Sequence, residues 1–268
     1  MPTPEPWLGL VHDAEGRWHF ELTGPLTRFD GKLYGGTGLA VVTALAEIET
    51  GREALWATVQ FVASADVGER IDCQVEVLAQ GHRTTQLRMT ATVGDRTVLA
   101  ALASAGLPRA DGLDLQIGQM PAVVAPEDSP EWSPRVPFTI PDGQRGWLDS
   151  IDLREARLLA TDGSADPIAA GLTLWARMRS ATTSRASLGF VADLVPSAVV
   201  RAAGRTGGGR SLDNTMRFGP TPTTEWVLVE LDPHFASAGY VHGAARLWGQ
   251  DGTLLGVASQ TAVGIHFD

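Results

Sequence analysis

The sequence predicts an α+β protein built from two copies of one unit, each a strand, a long buried helix and an antiparallel strand meander. Two pairs of similar segments indicate the duplication. The first pair joins ALWATVQF at Ala54–Phe61 to SLDNTMRF at Ser211–Phe218, and the second joins DRTVLAALAS at Asp95–Ser104 to DGTLLGVASQ at Asp251–Gln260. Paired positions lie 157 and 156 residues apart, and a spacing this long indicates duplicated domains rather than a solenoid.

The first unit contains a strand, a helix and then a meander. Its first strand is RWHFEL at Arg17–Leu22, which alternates. The segment Gly36–Thr50 carries apolar residues at helical spacing, with small alanines on the other side, and so predicts a largely buried helix. Four short runs rich in Val and Thr predict antiparallel strands: Leu55–Val62, Asp72–Leu78, Thr85–Val93 and Thr97–Leu102.

A proline-rich segment separates the two units. Seven prolines lie between positions 108 and 141, with little hydrophobic periodicity, and predict a linker that runs over the surface. We therefore expect an N-terminal unit at 1–107, a Pro-rich linker at 108–145 and a C-terminal unit at 146–268.

The second unit repeats the order of the first. Strands are expected at Ile151–Ala160 and Ala169–Arg179, followed by a helix at Leu188–Ala203. Pro196 lies inside this helical pattern, so we expect it to kink the helix or to mark its first turn. Further strands are expected from Leu212 onward.

Composition limits the function classes. The 268 residues include 21 Lys and Arg against 31 Asp and Glu, and the net charge of −10 argues against general nucleic-acid binding, which needs clustered cations. Cys73 is the only cysteine, so no intrachain disulfide and no multi-cysteine metal site can form. Neither a signal peptide nor an apolar stretch of membrane-spanning length is found, so we expect a cytoplasmic protein.

Motifs for several kinds of catalysis and cofactor binding are missing. There is no GxSxG nucleophile elbow, and the six histidines show no metal-ligand spacing. Val41 replaces the third glycine of a GxGxxG pattern that begins at Gly36, and RTGGGR at Arg205–Arg210 lacks the P-loop spacing. The sequence therefore predicts no metal and no cofactor.

Three segments carry a resemblance to a known family. They are LYGGTGL at Leu33–Leu39, SLDNTMRF at Ser211–Phe218 and GVASQTAVGI at Gly256–Ile265. In their order and spacing they resemble the acyl-CoA thioesterase II family of double-hotdog hydrolases, over most of the chain from Trp18 onward. The resemblance implies a double hotdog, in which two repeats of a long helix are each wrapped by a curved antiparallel sheet. It also implies an acyl-CoA substrate.

The resemblance also implies a set of catalytic residues. In that family an Asp in the second-half motif activates water, helped by a Gln in the last strand and a hydroxyl residue. These positions match Asp213, Gln260 and, in DPHFAS, Ser237. The chain departs from the family pattern at Asn214, where His is common, and at Thr37, where Gln is common. A different interpretation of Asp213 is a turn residue that caps nearby backbone amides.

Two further segments are candidates for substrate binding. Gly35, Gly36, Thr37 and Gly38 open the first helix and could offer amide donors to an acyl carbonyl or oxyanion. Tight packing of the helix on the sheet would also need small residues there. Arg205 and Arg210 could contact coenzyme A phosphates, although a flexible connection between helix and strand also explains RTGGGR.

The main functional hypothesis is an acyl-CoA thioester hydrolase that uses water activated by Asp213 and positioned by Gln260. A hotdog enoyl-CoA hydratase or dehydratase is one alternative, although its Asp/His pair is not found near Gly35–Gly38. A non-catalytic acyl-CoA-binding protein is another, because several motif positions are altered. Each sheet has edges that need a partner or a cover, which favours a homo-oligomer.

Overall fold

The described residues form one antiparallel sheet of twelve strands. The computed structural model describes residues 5–134, 136–141, 143–157 and 171–267. The strands are β1 Val11–His12, β2 Trp18–Glu21, β3 Glu53–Phe61, β4 Arg70–Gln80, β5 Thr84–Val93, β6 Arg96–Gly106, β7 Ile151–Glu155, β8 Leu172–Met178, β9 Thr206–Phe218, β10 Val227–Ser237, β11 Tyr240–Gly249 and β12 Leu254–Phe267. The helices are α1 Gly35–Thr50, α2 Arg185–Val191 and α3 Val195–Ala202.

The order of the strands shows the internal duplication. It runs β1-β2-β4-β5-β6-β3-β9-β12-β11-β10-β8-β7, so that β3 and β9 join the two halves at the centre of the sheet. Thr58 and Thr215, which lie at the same position in the two repeats, face each other across this join with their hydroxyl oxygens 2.6 Å apart. The two halves are therefore related by a local two-fold axis between these threonines.

The same β-bulge occurs in both repeats. In β3 the pairing with β6 skips Leu55, and in β9 the pairing with β12 skips Leu212, the position that matches it. A bulge inserts one extra residue and changes which side chains share a face of the strand. Because of this bulge, Ser211 and Asn214 lie on the same face of β9 although they are three positions apart.

The first unit agrees with its predicted order of elements. Helix α1 begins after Tyr34, and its first twelve residues are buried, as the apolar and small residues of this segment predict. It ends at Gly51, which has a φ of 62° that glycine adopts without strain. Cys73 is buried in the core, where it was expected on the apolar face of its strand.

The second unit differs from the prediction of one long helix at Leu188–Ala203. The segment forms two short helices, α2 and α3, which are separated at residues 192–194. A capping box between Ser184 and Ser187 starts α2. Pro196 lies in the first turn of α3, where its missing N–H is not needed for a helical hydrogen bond. One long helix is therefore present in the first unit, and two short ones replace it in the second.

Helices α1 and α2 pack closely because glycines face each other's backbones. A Cβ at Gly36 would overlap the carbonyl oxygen of Phe190, and a Cβ at Gly189 would lie 3.2 Å from Cγ of Leu39. This close approach brings the start of α1 next to the break between α2 and α3. No helix in the described ranges is long and apolar enough to cross a membrane.

The proline-rich segment lies alongside β7. The backbone N–H of Trp132 donates to the carbonyl of Leu153 at 2.9 Å, and that of Val124 donates to the carbonyl of Arg157 at 3.0 Å. Pro134, Val136 and Phe138, further along this segment, line a cavity next to α3. Parts of the predicted strands Ile151–Ala160 and Ala169–Arg179 lie outside the described residues.

Candidate active site

A buried carboxylate lies at the break between α2 and α3. Asp193 is 7% exposed, and its side chain is surrounded by hydrogen-bond donors from both units. Asn214 Nδ2 donates to its Oδ1 at 3.1 Å, and the Ser211 hydroxyl donates to the same oxygen at 3.2 Å. Gln260 Nε2 and the backbone N–H of Gly36 also donate to the carboxylate.

The strands β9 and β12 bring these donors together. Gln260 is the direct cross-strand neighbour of Asn214, and Ser211 pairs with Ala262 beyond the bulge at Leu212. The side chains of Gln260, Asn214 and Ser211 therefore lie on the face of the sheet that packs against the helices. Gln260 Nε2 also donates to the Ser211 hydroxyl oxygen at 2.8 Å, so the Ser211 hydroxyl receives one hydrogen bond and donates another to Asp193.

Burial sets the acidity of this group. Removal from water raises the pKa of Asp193 from 3.8 to about 6, because the charged form loses its hydration. Hydrogen bonds oppose this rise in the pKa because they stabilise the ionised carboxylate; the donors are Asn214, Ser211, the backbone N–H of Gly36 and Gln260. A general base works best when its pKa lies near the working pH, and a pKa of about 6 is closer to neutral pH than that of an ordinary aspartate.

Glycine at the start of α1 makes room for the carboxylate. A Cβ at Gly35 would lie 2.5 Å from Oδ2 of Asp193 and 2.8 Å from the Ser211 hydroxyl oxygen. Both distances are shorter than a van der Waals contact. Any side chain at position 35 would therefore displace the acid or the hydroxyl group.

Two buried acceptors beside the acid have no hydrogen-bond donor among the described residues. They are Oδ1 of Asn214 and Oε1 of Gln260, in side chains that are 0% and 1% exposed. Each amide uses its N–H₂ group on Asp193, which leaves the oxygen free to accept. Unsatisfied buried polar atoms are uncommon in folded proteins and frequently mark functional positions.

Asp193 and Ser211 open onto a cavity of about 400 Å³. The other walls are mostly apolar, and their aromatic residues are Phe29, Tyr34, Phe138, Trp147 and Phe267. Tyr34 stacks on Trp147 with ring centroids 5.0 Å apart, and the Tyr34 hydroxyl donates to the backbone carbonyl of Asp193 at 3.4 Å. Arg28 and Asp30 also line the cavity, and a concave, mostly apolar cavity with a few polar groups is typical of a small-molecule site.

The three predicted catalytic residues lie apart in the structure. Gln260 is in the cluster around Asp193, whereas Asp213 is on the opposite face of β9, where its Oδ1 accepts the backbone N–H of Thr261 at 2.9 Å. Ser237 is exposed at the end of β10. Asp213 pairs with Thr261, next to Gln260, so the alternation of the strand turns its side chain away from Gln260, whereas the bulge at Leu212 brings Ser211 onto the Gln260 face.

Sequence reasoning missed Asp193, Ser211 and Asn214. A signal for Asp193 was present, because it is a lone carboxylate in the apolar run FVADLVP, where a charge is costly unless it is bonded. A signal for the other two was the repeat itself. Ser211 and Asn214 match Ala54 and Ala57 in the first unit, so polar residues replace buried alanines in the second.

The predicted substrate-binding residues at the start of α1 are buried beside the acid. The N–H of Gly36 donates to Asp193, so this amide binds the acid. Gly35 also lies next to the carboxylate, whereas the Thr37 hydroxyl donates to the carbonyl of Leu26 at 2.8 Å. Gly38 packs near Phe61 and does not line the cavity.

The two predicted arginine contacts lie at different places. Arg205 lines a neighbouring cavity of about 390 Å³, which shares Pro134, Ser197 and Gly207 with the first. Arg210 is exposed on β9 and does not line the first cavity. Most of RTGGGR belongs to strand β9, which begins at Thr206, so it is not a flexible connection.

No group of three or more His, Cys, Asp or Glu side chains that could hold a metal ion is found among the described residues.

Several solved structures share the fold of this chain. A candidate thioesterase from Novosphingobium aromaticivorans is 28% identical, with 96% of this chain and 98% of that chain covered and a TM-score of 0.82. A hot dog fold protein of unknown function from Alicyclobacillus acidocaldarius is 21% identical, with 97% and 96% covered and a TM-score of 0.80. The acyl-CoA thioesterase II TesB2 from Mycobacterium marinum is 21% identical, with 97% of both chains covered and a TM-score of 0.72.

These likenesses and the antiparallel sheet define the class of hotdog-fold proteins. Models of the two halves of one family also match the sequence: the acyl-CoA thioesterase N-terminal domain at residues 22–106 and the acyl-CoA thioesterase C-terminal domain at residues 121–263. The chain belongs to this acyl-CoA thioesterase family and is an acyl-CoA thioester hydrolase. A search of curated proteins found no significant match.

Proposed function

We propose that the chain hydrolyses acyl-CoA thioesters in the cavity beside Asp193, and that Asp193, not Asp213, is the base that activates water. The observation that carries this proposal is the buried carboxylate, held by donors from Ser211, Asn214 and Gln260 where it meets an apolar cavity. The apolar cavity suits an acyl group, and the carboxylate suits a water molecule beside the thioester carbonyl.

The chemical step follows from this placement. A carboxylate oxygen of Asp193 takes a proton from water while the water oxygen bonds to the thioester carbonyl carbon. The tetrahedral intermediate then collapses, the carbon–sulfur bond breaks, and the coenzyme A sulfur receives the proton from Asp193. The products are a free acid and the coenzyme A thiol, and no further reactant is needed.

Ser211 and Gln260 have supporting roles in this proposal. The Ser211 hydroxyl shares the cavity with Asp193 and can hold the attacking water in line with the carboxylate. Gln260 donates to both Asp193 and Ser211, so it fixes the distance between them without carrying a charge itself. In this proposal Gln260 is a positioning residue, and Ser211 supplies the hydroxyl group in place of Ser237, the residue that the family resemblance implied.

The described residues that line the cavity do not favour the hydratase alternative. Hotdog hydratases use an Asp/His pair, and none of the described lining residues is a histidine. The alternative of a non-catalytic acyl-CoA-binding protein would need the same cavity, so only turnover separates it from the proposal.

Release of thiol from a panel of acyl-CoA esters tests the proposed function. We expect the purified wild-type protein to release coenzyme A from at least one ester, from acetyl-CoA to palmitoyl-CoA. Binding of these esters, measured by isothermal titration calorimetry without any thiol release, would instead identify a binding protein.

The rate is expected to depend on pH through Asp193. The base must be ionised, and burial raises its pKa to about 6. Below that pH, kcat/KM should therefore decrease with the protonation of one group. An ordinary aspartate would lose activity only near its usual value of 3.8. A profile that stays flat down to that region would contradict the assignment of Asp193.

Asn214→Leu should move this midpoint. The substitution removes a hydrogen bond that lowers the pKa of Asp193, so the midpoint should shift to higher pH while activity returns at alkaline pH. A variant that only disturbed the fold would lose activity equally at every pH. Thermal unfolding of wild type and variant at one pH serves as the control.

A further inference from the structure

Strand β9 begins with three consecutive glycines that line the cavity. Gly207, Gly208 and Gly209 follow Thr206 and lie close to α3 and to the end of β12. Glycine weakens a strand because it contributes no side chain and loses more backbone entropy on folding. Three in a row therefore need a structural or functional reason.

The backbone explains two of the three. Gly207 has a φ of 149°, which side chains rarely adopt, and a Cβ there would overlap the carbonyl oxygen of Ile265. A Cβ at Gly209 would lie 2.7 Å from Cβ of Pro196 and 3.0 Å from the carbonyl oxygen of Val263. Neither position can accept a side chain unless the backbone moves.

Gly208 is different because its surroundings leave room. The nearest heavy atom to a Cβ at this position is the Ser197 hydroxyl oxygen, at 3.3 Å, which can rotate away. Ser197 lines the cavity, and so does Ile265, the direct cross-strand neighbour of Gly208. A side chain at position 208 would therefore be compatible with the strand but would extend into the cavity.

The surface around Gly208 is suited to an acyl group. Ile265 and Pro196 are apolar, and Phe267, two residues after Ile265, stands edge-on to Phe138 with ring centroids 5.9 Å apart. None of these groups can bind the phosphates or the amides of coenzyme A. Asp193 and Ser211 line the same cavity, as do the charged residues Arg28 and Asp30 from the segment before α1.

We propose that Gly208 determines how large an acyl group the enzyme accepts, because the missing side chain leaves space for the acyl chain along β9. This inference rests on the proposed function, since it assigns one wall of the same cavity to the acyl group. Its chemical prediction is that side chains added at position 208 discriminate between esters by acyl size and not by the coenzyme A moiety.

The test compares Gly208→Leu with Arg217→Leu. Arg217 is exposed on the same strand and does not line the cavity, so it controls for a leucine added to β9. For the longest acyl-CoA that the wild type hydrolyses, Gly208→Leu should lower kcat/KM by about tenfold or more. Acetyl-CoA hydrolysis should change little, and Arg217→Leu should behave as wild type with both substrates.

An equal decrease for short and long esters, or no decrease for the long ester, would overturn the proposal. If Gly208→Leu unfolds at a lower temperature than wild type, Gly208→Ala combined with Ser197→Ala replaces it, because the second substitution removes the atom that the new Cβ meets. This double variant should still show a decrease in kcat/KM that grows with the length of the acyl chain.

Failure of the proposed function gives a different result. In that case the wild type releases no thiol from any ester, and the comparison is made by isothermal titration calorimetry. A loss of affinity in Gly208→Leu that grows with acyl length would still support the role of Gly208, whereas equal affinities at all lengths would refute it.

Discussion

Replacement of Asp193 by asparagine is expected to lower kcat for acyl-CoA hydrolysis by about 10³-fold, the usual contribution of a general base. The amide keeps the size and shape of the carboxylate but cannot take a proton from water. The amide oxygen can still accept hydrogen bonds from Ser211 and Asn214, which donate to one carboxylate oxygen in the wild type, so the fold should survive. Thiol release measures the rate, and thermal unfolding shows that the variant is folded.

Asp213→Asn is the matched control for this experiment. Both residues are aspartates of the second unit, but Asp213 faces away from the cavity and accepts only the backbone N–H of Thr261 among the contacts described. We expect this variant to retain activity close to that of wild type. The reverse pattern, with activity lost in Asp213→Asn and retained in Asp193→Asn, would reject the site around Asp193 and favour the assignment made from the sequence.

The sequence predicted the parts of the fold that depend on periodic patterns. Helix α1 and the meander that follows it agree with the structure because their apolar spacing and turn residues are clear. The offset of 157 residues also makes Thr58 equivalent to Thr215, and the structure shows these two residues opposite each other across β3 and β9. The break at residues 192–194 was harder to predict because Pro196 is compatible both with a kinked helix and with a new first turn.

The site depended on features that short sequence motifs do not carry. Gln260 and Asp213 were both carried over from the family resemblance, which does not say which residues share a face. In the structure Asn214, and not Asp213, is the cross-strand neighbour of Gln260, and the bulge at Leu212, which is decided by the pairing of two strands, adds Ser211 to the same face. Asp193 comes from a different element, and only the packing of α2 on α1 brings it to the cluster.

The duplication also explains why the polar cluster forms once. In the first unit the positions that match Ser211 and Asn214 are Ala54 and Ala57, which are buried among apolar side chains. Ser104 matches Gln260 and is too short to reach across as the longer amide does. The second unit therefore supplies the acid and its side-chain donors, while the first supplies the start of α1, whose Gly36 N–H also donates to the acid.

Gly35→Ala is expected to have the second large effect, a loss of about 100-fold in kcat, because small displacements of catalytic groups cost that much. A methyl group at this position would lie 2.5 Å from Oδ2 of Asp193, so the carboxylate must move away from Ser211. Alanine is a better helix former than glycine, and this gain offsets part of the strain of the new contact. We therefore expect the variant to be folded and to unfold at a temperature close to that of the wild type.

Gly38→Ala supplies the matched control on the same turn of α1. A methyl group there would meet Cε1 of Phe61 at 3.0 Å and a methyl carbon of Leu99 at 3.3 Å, both of them apolar side-chain atoms away from the acid. We expect this variant to keep its kcat even if its stability changes. Loss of activity in Gly38→Ala but not in Gly35→Ala would mean that the start of α1 acts through its packing on the sheet, and not by leaving space for Asp193.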